Sequence, residues 1–113
     1  MTELFDKIKE ITELDGIAGY EHKIRDFFRQ KMTPFVDEVE TDGLGGLFGI
    51  KHSKLERAPR VMVAAHMDEV GFMVSEIKAD GTFRVVEIGG WNPMVVSSQR
   101  FKLFTRDGRE IPV

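Results

Sequence analysis

The chain has 113 residues, the length of one domain, and its 42% hydrophobic and 31% charged content is that of a globular protein rather than a disordered one. Sixteen basic against nineteen acidic residues leave a net charge of −3, which argues against nucleic acid or an anionic membrane as the main partner, since both require clustered positive charge. The absence of cysteine excludes disulfides, thiol nucleophiles and thiolate metal sites, so any metal must be held by His, Asp and Glu. No apolar run approaches the roughly 20 residues needed to span a bilayer, and Met1-Thr2-Glu3-Leu4-Phe5-Asp6 lacks the basic start and apolar centre of a signal peptide, so the expected compartment is the cytoplasm.

Leu4, Ile8, Ile11 and Leu14 recur at spacings of four, three and three and predict an opening helix, with Thr2 as its N-cap and Glu3 and Asp6 suited to the positive end of its dipole. Gly16 and Gly19 end it. A second helix follows, with Tyr20, Ile24, Phe27, Phe28 and Met32 on its buried face, and Pro34 stops it. Glu21 and His22 sit in its first turn, where a carboxylate that suits the dipole and a solvated imidazole explain them better than a metal or substrate role. From Phe35 the period changes to that of a hairpin: strand 35–41, a glycine-rich turn over Asp42-Gly43-Leu44-Gly45-Gly46, and strand 47–50. That turn has neither the Lys-Ser/Thr ending of a phosphate-binding loop nor the context of a dinucleotide fingerprint. Residues 51–59 form a polar connection in which His52 is expected to be solvated.

The stretch Arg60-Val61-Met62-Val63-Ala64-Ala65-His66-Met67-Asp68-Glu69-Val70-Gly71 carries the chemistry. Its apolar run fits a strand buried on both faces, and its polar cluster falls at the carboxyl end, the edge where open α/β sheets usually place ligands. His66 and Asp68 are two apart, so in an extended strand they leave the same face, while Met67 and Glu69 point the other way. A carboxylate beside an imidazole accepts one ring proton and leaves the other nitrogen free for a divalent cation. A core histidine satisfied by a nearby aspartate accounts better for an isolated His-x-Asp.

After Gly71 the pattern is uniformly β. One hairpin is predicted over 72–88 with Asp80-Gly81 at its turn, and another starts at Arg100 and turns at 106–109. Between them, Gly89-Gly90-Trp91-Asn92-Pro93 turns the chain sharply, and Trp91 is expected to pack over the joint rather than stack on a ligand. Met62, Met67, Met73 and Met94 read as gap-filling side chains. A domain change is placed near Gly71, giving residues 1–70 and 71–113.

Four segments, Asp15-Gly16-Ile17-Ala18-Gly19-Tyr20-Glu21, Glu40-Thr41-Asp42-Gly43-Leu44-Gly45, Ala65-His66-Met67-Asp68-Glu69-Val70-Gly71-Phe72-Met73 and Ile88-Gly89-Gly90-Trp91, occur in this order. Together they resemble the glutamyl aminopeptidase branch of the M42 metallo-aminopeptidases, some of which carry endoglucanase labels. The resemblance implies an α/β fold: the N-terminal part of a zinc-peptidase-like mixed-sheet domain (1–70), then the start of a β-rich, antiparallel oligomerisation domain (71–113). It implies that His66 is a ligand of one ion in a site of two divalent cations (zinc, cobalt or manganese). Asp68 would be the carboxylate that orients His66, and Glu69 would have no assigned ligand role.

The activity so implied is release of N-terminal, acidic residues from peptides by a large homo-oligomer. The family's remaining ligands and its general-base glutamate lie downstream of Ile111-Pro112-Val113. The expectation is therefore an amino-terminal piece of the enzyme, inactive alone. The alternative is a self-standing α+β domain that acts by association, with His66 structural. A carbohydrate hydrolase finds little support, because no carboxylate pair can be assigned acid and nucleophile roles.

Overall fold

The structure, a computed structural model, describes residues 2–113. Helix α1 covers Thr2–Thr12 and helix α2 covers His22–Met32, as their apolar spacing predicts. Thr2 is already helical rather than capping. The turn between the helices is seated on Ile24, the one hydrophobic side chain buried among the described residues, at 5% exposure. Gly16 lies against it: a Cβ there would stand 2.5 Å from Ile24 Cδ1, so any side chain at the position would have to displace the end of Ile24. Tyr20, expected on the buried face of α2, is exposed, as are Leu4 and Ile8 on α1.

Three antiparallel ribbons follow, each made of two strands adjacent in sequence. Strand β1 (Glu38–Thr41) pairs with β2 (Leu47–Ile50) in a register running from Thr41↔Leu47 to Glu38↔Ile50. The strand expected from Phe35 begins three residues later because Thr33–Phe35, with Pro34 inside it, forms a turn of 3-10 helix. The glycine-rich turn is hairpin geometry: Asp42 Oδ1 accepts the N–H groups of Leu44 and Gly46 at 3.0 and 2.7 Å. Strand β3 (Gly71–Ile77) pairs with β4 (Phe83–Ile88), with a register shift between Val74 and Glu76. Asp80 holds that turn by accepting the Thr82 N–H and hydroxyl. Strand β5 (Lys102–Phe104) pairs with β6 (Glu110–Pro112).

Between the second and third ribbons lies a short helix, α3 (Pro93–Val96), which the sequence reading missed; the Asn92 side chain caps it by accepting the Met94 N–H at 3.1 Å. Trp91 joins the two ribbons. Its ring stacks on Phe72 at 4.6 Å between centroids, its Nε1–H donates to the Gly71 carbonyl at 2.9 Å, and Phe101 meets Phe72 edge-on at 5.5 Å. The expected packing role of Trp91 is therefore what the structure has.

The largest departure from expectation is the apolar run at 60–68. It carries no strand pairing, and Val61, Met62 and Val63 are 82, 84 and 93% exposed. A strand exists through hydrogen bonds to neighbouring strands, and none of the described strands flanks this segment. Only its far end is tied down, through a parallel bridge between Ile17 and Glu69. The whole chain is correspondingly open. Its accessible surface is 10071 Å², against roughly 6,300 Å² for a compact monomer of 12.9 kDa. Its radius of gyration is 18.4 Å, where about 13 Å is usual for this length. The apolar faces of α1 and of the 60–68 run are thus shaped for burial against further protein.

Candidate functional site

A cleft of about 400 Å³ opens where α1, α2 and the end of the apolar run converge. Ile11, Leu14, Ile24, Phe28 and Met67 make its wall apolar, and His66, Asp68 and Glu69 bring the polar groups. All three come from one short stretch of the chain, residues 66–69.

His66 Nδ1 lies 3.0 Å from the backbone carbonyl oxygen of Asp68 and 3.2 Å from its Oδ1. Both partners are acceptors, so Nδ1 carries the proton, and the Nε2 lone pair is left available. The hydrogen bond goes to the carbonyl, with the carboxylate alongside; the sequence spacing pointed to the carboxylate alone. The His66 side chain is 86% exposed, so Nε2 faces the open side of the cleft.

This donor fits a divalent cation as one ligand. A nitrogen whose opposite ring N–H is fixed by oxygen acceptors is the usual arrangement of a metal-binding histidine. A catalytic ion takes about three protein ligands. Among the described residues no group of three or more His, Asp or Glu could hold a metal. Among the described residues, then, the donor that could take part in such a site is His66, with Asp68 beside it, and no complete ligand set accompanies it.

Glu69, left without a ligand role by the sequence reading, makes a contact across the chain. Its backbone N–H donates to the Gly16 carbonyl at 2.8 Å, and its Oε1 accepts the Gly16 N–H at 2.9 Å. No signal in the sequence pointed to the pair, since the crowding at Gly16 comes from Ile24 of α2 and not from the Glu69 segment. On the neighbouring residue, Asp15 forms an ion pair with Lys102 of β5 at 2.8 Å, and Lys23 of α2 pairs with Glu110 of β6 at 2.7 Å, so the third ribbon is tied to the same turn.

The other candidates stand apart from the cleft. Glu21 Oε1 accepts the Gly19 N–H at 2.7 Å and so shapes the entry to α2, where His22 is exposed. His52, expected to be solvated, is exposed but paired: its Nε2 contacts Glu38 Oε1 of β1, and that hydrogen bond raises its pKa above the ordinary histidine value.

Helices packed over the segment that bears His66, followed by antiparallel ribbons, make a mixed α/β arrangement that recurs in part of solved aminopeptidases. The structure matches that of an aminopeptidase from the archaeon Desulfurococcus kamchatkensis with a TM-score of 0.89 at 34% sequence identity, covering 95% of this chain and 29% of that one. A second solved structure, a dodecamer named PhTET1-12s, matches with a TM-score of 0.80 at 27% identity, covering 95% of this chain and 31% of that one. The model of the M42 glutamyl aminopeptidase family matches residues 45–113, and the chain belongs to that family. It is 63% identical over 111 residues to the glutamyl aminopeptidase of Lactococcus lactis subsp. cremoris, covering 98% of this chain and 31% of that protein. The chain thus spans about a third of the length of the relatives it matches. No described helix is long and apolar enough to cross a membrane.

Proposed function

We propose that this chain supplies the amino-terminal part of a metal-dependent aminopeptidase that releases N-terminal residues, acidic ones among them, from peptides. The observation that carries the reading is the oriented His66, with Nδ1–H held by Asp68 at 3.0 Å, in a chain 63% identical to a glutamyl aminopeptidase. His66 Nε2 would serve as a ligand of one of two divalent cations (zinc, cobalt or manganese), and Asp68 would keep the ring in the required tautomer and direction. Such ions, when bound, polarise a scissile carbonyl and acidify a water. Ile11, Leu14 and Met67 give the cleft beside the imidazole an apolar wall. The other ligands and the general base belong to parts of the protein beyond these 113 residues, so the chain by itself releases no amino acid.

The same reading divides the chain near Gly71. Residues 1–70 belong to the catalytic part and 71–113 begin a β-rich part that drives self-association into a large homo-oligomer, the state named for the solved dodecamer. The expected setting is the cytoplasm. A second reading, an association domain without catalysis, draws on the exposure of Val61, Met62 and Val63, which a partner could cover as well as further chain could.

The test pairs intact mass and metal analysis of the native protein with release of p-nitroaniline from glutamyl-p-nitroanilide. The expected result is a mass about three times 12.9 kDa, near two divalent ions per chain, and chelator-sensitive release that the 113-residue chain lacks. A native mass of 12.9 kDa without metal would sink the reading in favour of the association domain, and release by the isolated chain would overturn the assignment of the missing ligands elsewhere.

A further inference from the structure

The segment that presents His66 is held at one place. From 60 to 68 it carries no strand pairing, and the His66 side chain is 86% exposed, so packing does not fix the ring. What anchors it is the two-point contact between Glu69 and Gly16: Glu69 N–H to Gly16 O at 2.8 Å and Gly16 N–H to Glu69 Oε1 at 2.9 Å. The backbone half belongs to the single parallel bridge at Ile17 and Glu69. The side-chain half is the informative one, because there a carboxylate oxygen does the work of the strand carbonyl that a longer parallel pairing would bring to the Gly16 N–H.

We infer that Glu69 is a positioning residue for His66: its carboxylate closes the clasp on Gly16, and the clasp fixes the direction in which Nε2 points. The inference rests on the reading of His66 as a metal ligand.

Three features favour it over a merely local contact. The Glu69 carboxylate reaches back to the Gly16 N–H at 2.9 Å while the His66 side chain stays 86% exposed, so one side chain of the segment is gripped while another is left to present its donor. The grip falls on a buried residue, since Gly16 is packed against Ile24. The arm length is also matched: aspartate would be shorter by one carbon, about 1.5 Å, and could not span a contact now at 2.9 Å. Reach and acceptor character, not charge, are what the clasp requires.

The experiment uses the protein as isolated from its native source and two variants that separate reach from charge. Glu69→Gln keeps the length and a carbonyl acceptor but loses the charge, and Glu69→Asp keeps the charge but loses the reach. Three quantities are read: hydrogen exchange at the Gly16 amide without metal, the zinc dissociation constant by competition with a chelator, and the melting temperature. We expect Glu69→Asp to speed Gly16 exchange at least about tenfold and weaken zinc about tenfold, with Glu69→Gln within about twofold of the parent on both. Equal zinc affinity in all three proteins, with Gly16 exchange altered or not, overturns the positioning role, and so does a Gln variant as impaired as Asp. His66→Ala runs alongside. If it keeps its zinc, the reading of His66 as a ligand fails, while Gly16 exchange still judges the clasp by itself.

Discussion

Residues 71–112 and residues 60–68 are both rich in apolar and β-branched side chains, yet only the first set forms strands. In the ribbons each strand lies beside its neighbour in sequence, joined by a turn with its own chemistry: Asp80 bonded to Thr82 in one, Thr105 N–H to the Arg109 carbonyl at 3.0 Å in the other. The cost of closing such short loops is small, and the hydrogen bonds follow at once. The 60–68 run has no such neighbour, and its side chains stand in solvent. One region is self-sufficient in its hydrogen bonds; the other carries the candidate chemistry and waits on distant partners. The placement suits a metal site, whose ligands must converge from separate segments.

The sharpest way to separate the two regions is to remove chemistry from one without touching the other. His66→Ala in the metal-loaded native protein is expected to lower glutamyl-p-nitroanilide hydrolysis more than about 100-fold, and Asp68→Asn about 10- to 100-fold, since the first removes a ligand and the second only its orienting partner. Near-ultraviolet circular dichroism of Trp91 should stay unchanged in both. Loss of the Trp91 signal on replacing His66 would break the comparison.

The converse change removes packing from the ribbons. Trp91→Ala deletes the stack on Phe72 and the hydrogen bond to the Gly71 carbonyl, and should cost about 3 kcal/mol in urea unfolding. Trp91→Phe keeps an aromatic face and loses only the hydrogen bond, for about 1 kcal/mol. A Trp91→Ala protein as stable as its parent would mean that the ribbons are held by their turns alone.

A smaller effect is expected at the junction. Gly16→Ala puts a methyl group 2.5 Å from Ile24 Cδ1, and because that atom is the far end of a flexible side chain the cost should be about 1 kcal/mol. Faster exchange at the Glu69 amide should accompany it. An unchanged Glu69 amide would uncouple the turn from the segment that bears His66.

What could be read from the sequence follows the same division. All three hairpins were legible, because turn chemistry is local: Asp42-Gly43, Asp80-Gly81 and Asp107-Gly108 sit between alternating residues, and the strands fall on either side. The two helices were legible from their spacing. The nearness of His66 and Asp68 was legible from their separation of two, but the hydrogen bond runs to the Asp68 carbonyl and not to the carboxylate that an extended strand would present. Helix α3 was missed because four residues carry no period, although Asn92-Pro93 is a capping signal. The exposure of Val61 to Val63 was missed because an apolar run specifies a wish for burial and not what covers it. Glu69 was missed because its partner, Gly16, is 53 residues away.

The least effect is expected at His52, and its sign can be worked out. Glu38 accepts a hydrogen bond from the imidazole and favours its charged form, so the folded pKa lies above the ordinary value of about 6.5. A group whose pKa is raised on folding adds stability in full below its unfolded pKa, and that contribution is lost as pH rises through the folded pKa. The pair joins β1 to the chain just after β2, so it tightens a ribbon already closed by backbone hydrogen bonds, and solvent screening at this exposed pair keeps its contribution small. The His52 Cε1–H resonance should titrate with a midpoint above 6.5, and Glu38→Gln should bring it back to about that value. The His66 resonance should not respond to Glu38→Gln at all, because the two histidines belong to regions that share no strand; a common response would show that the first ribbon and the site-bearing segment are coupled.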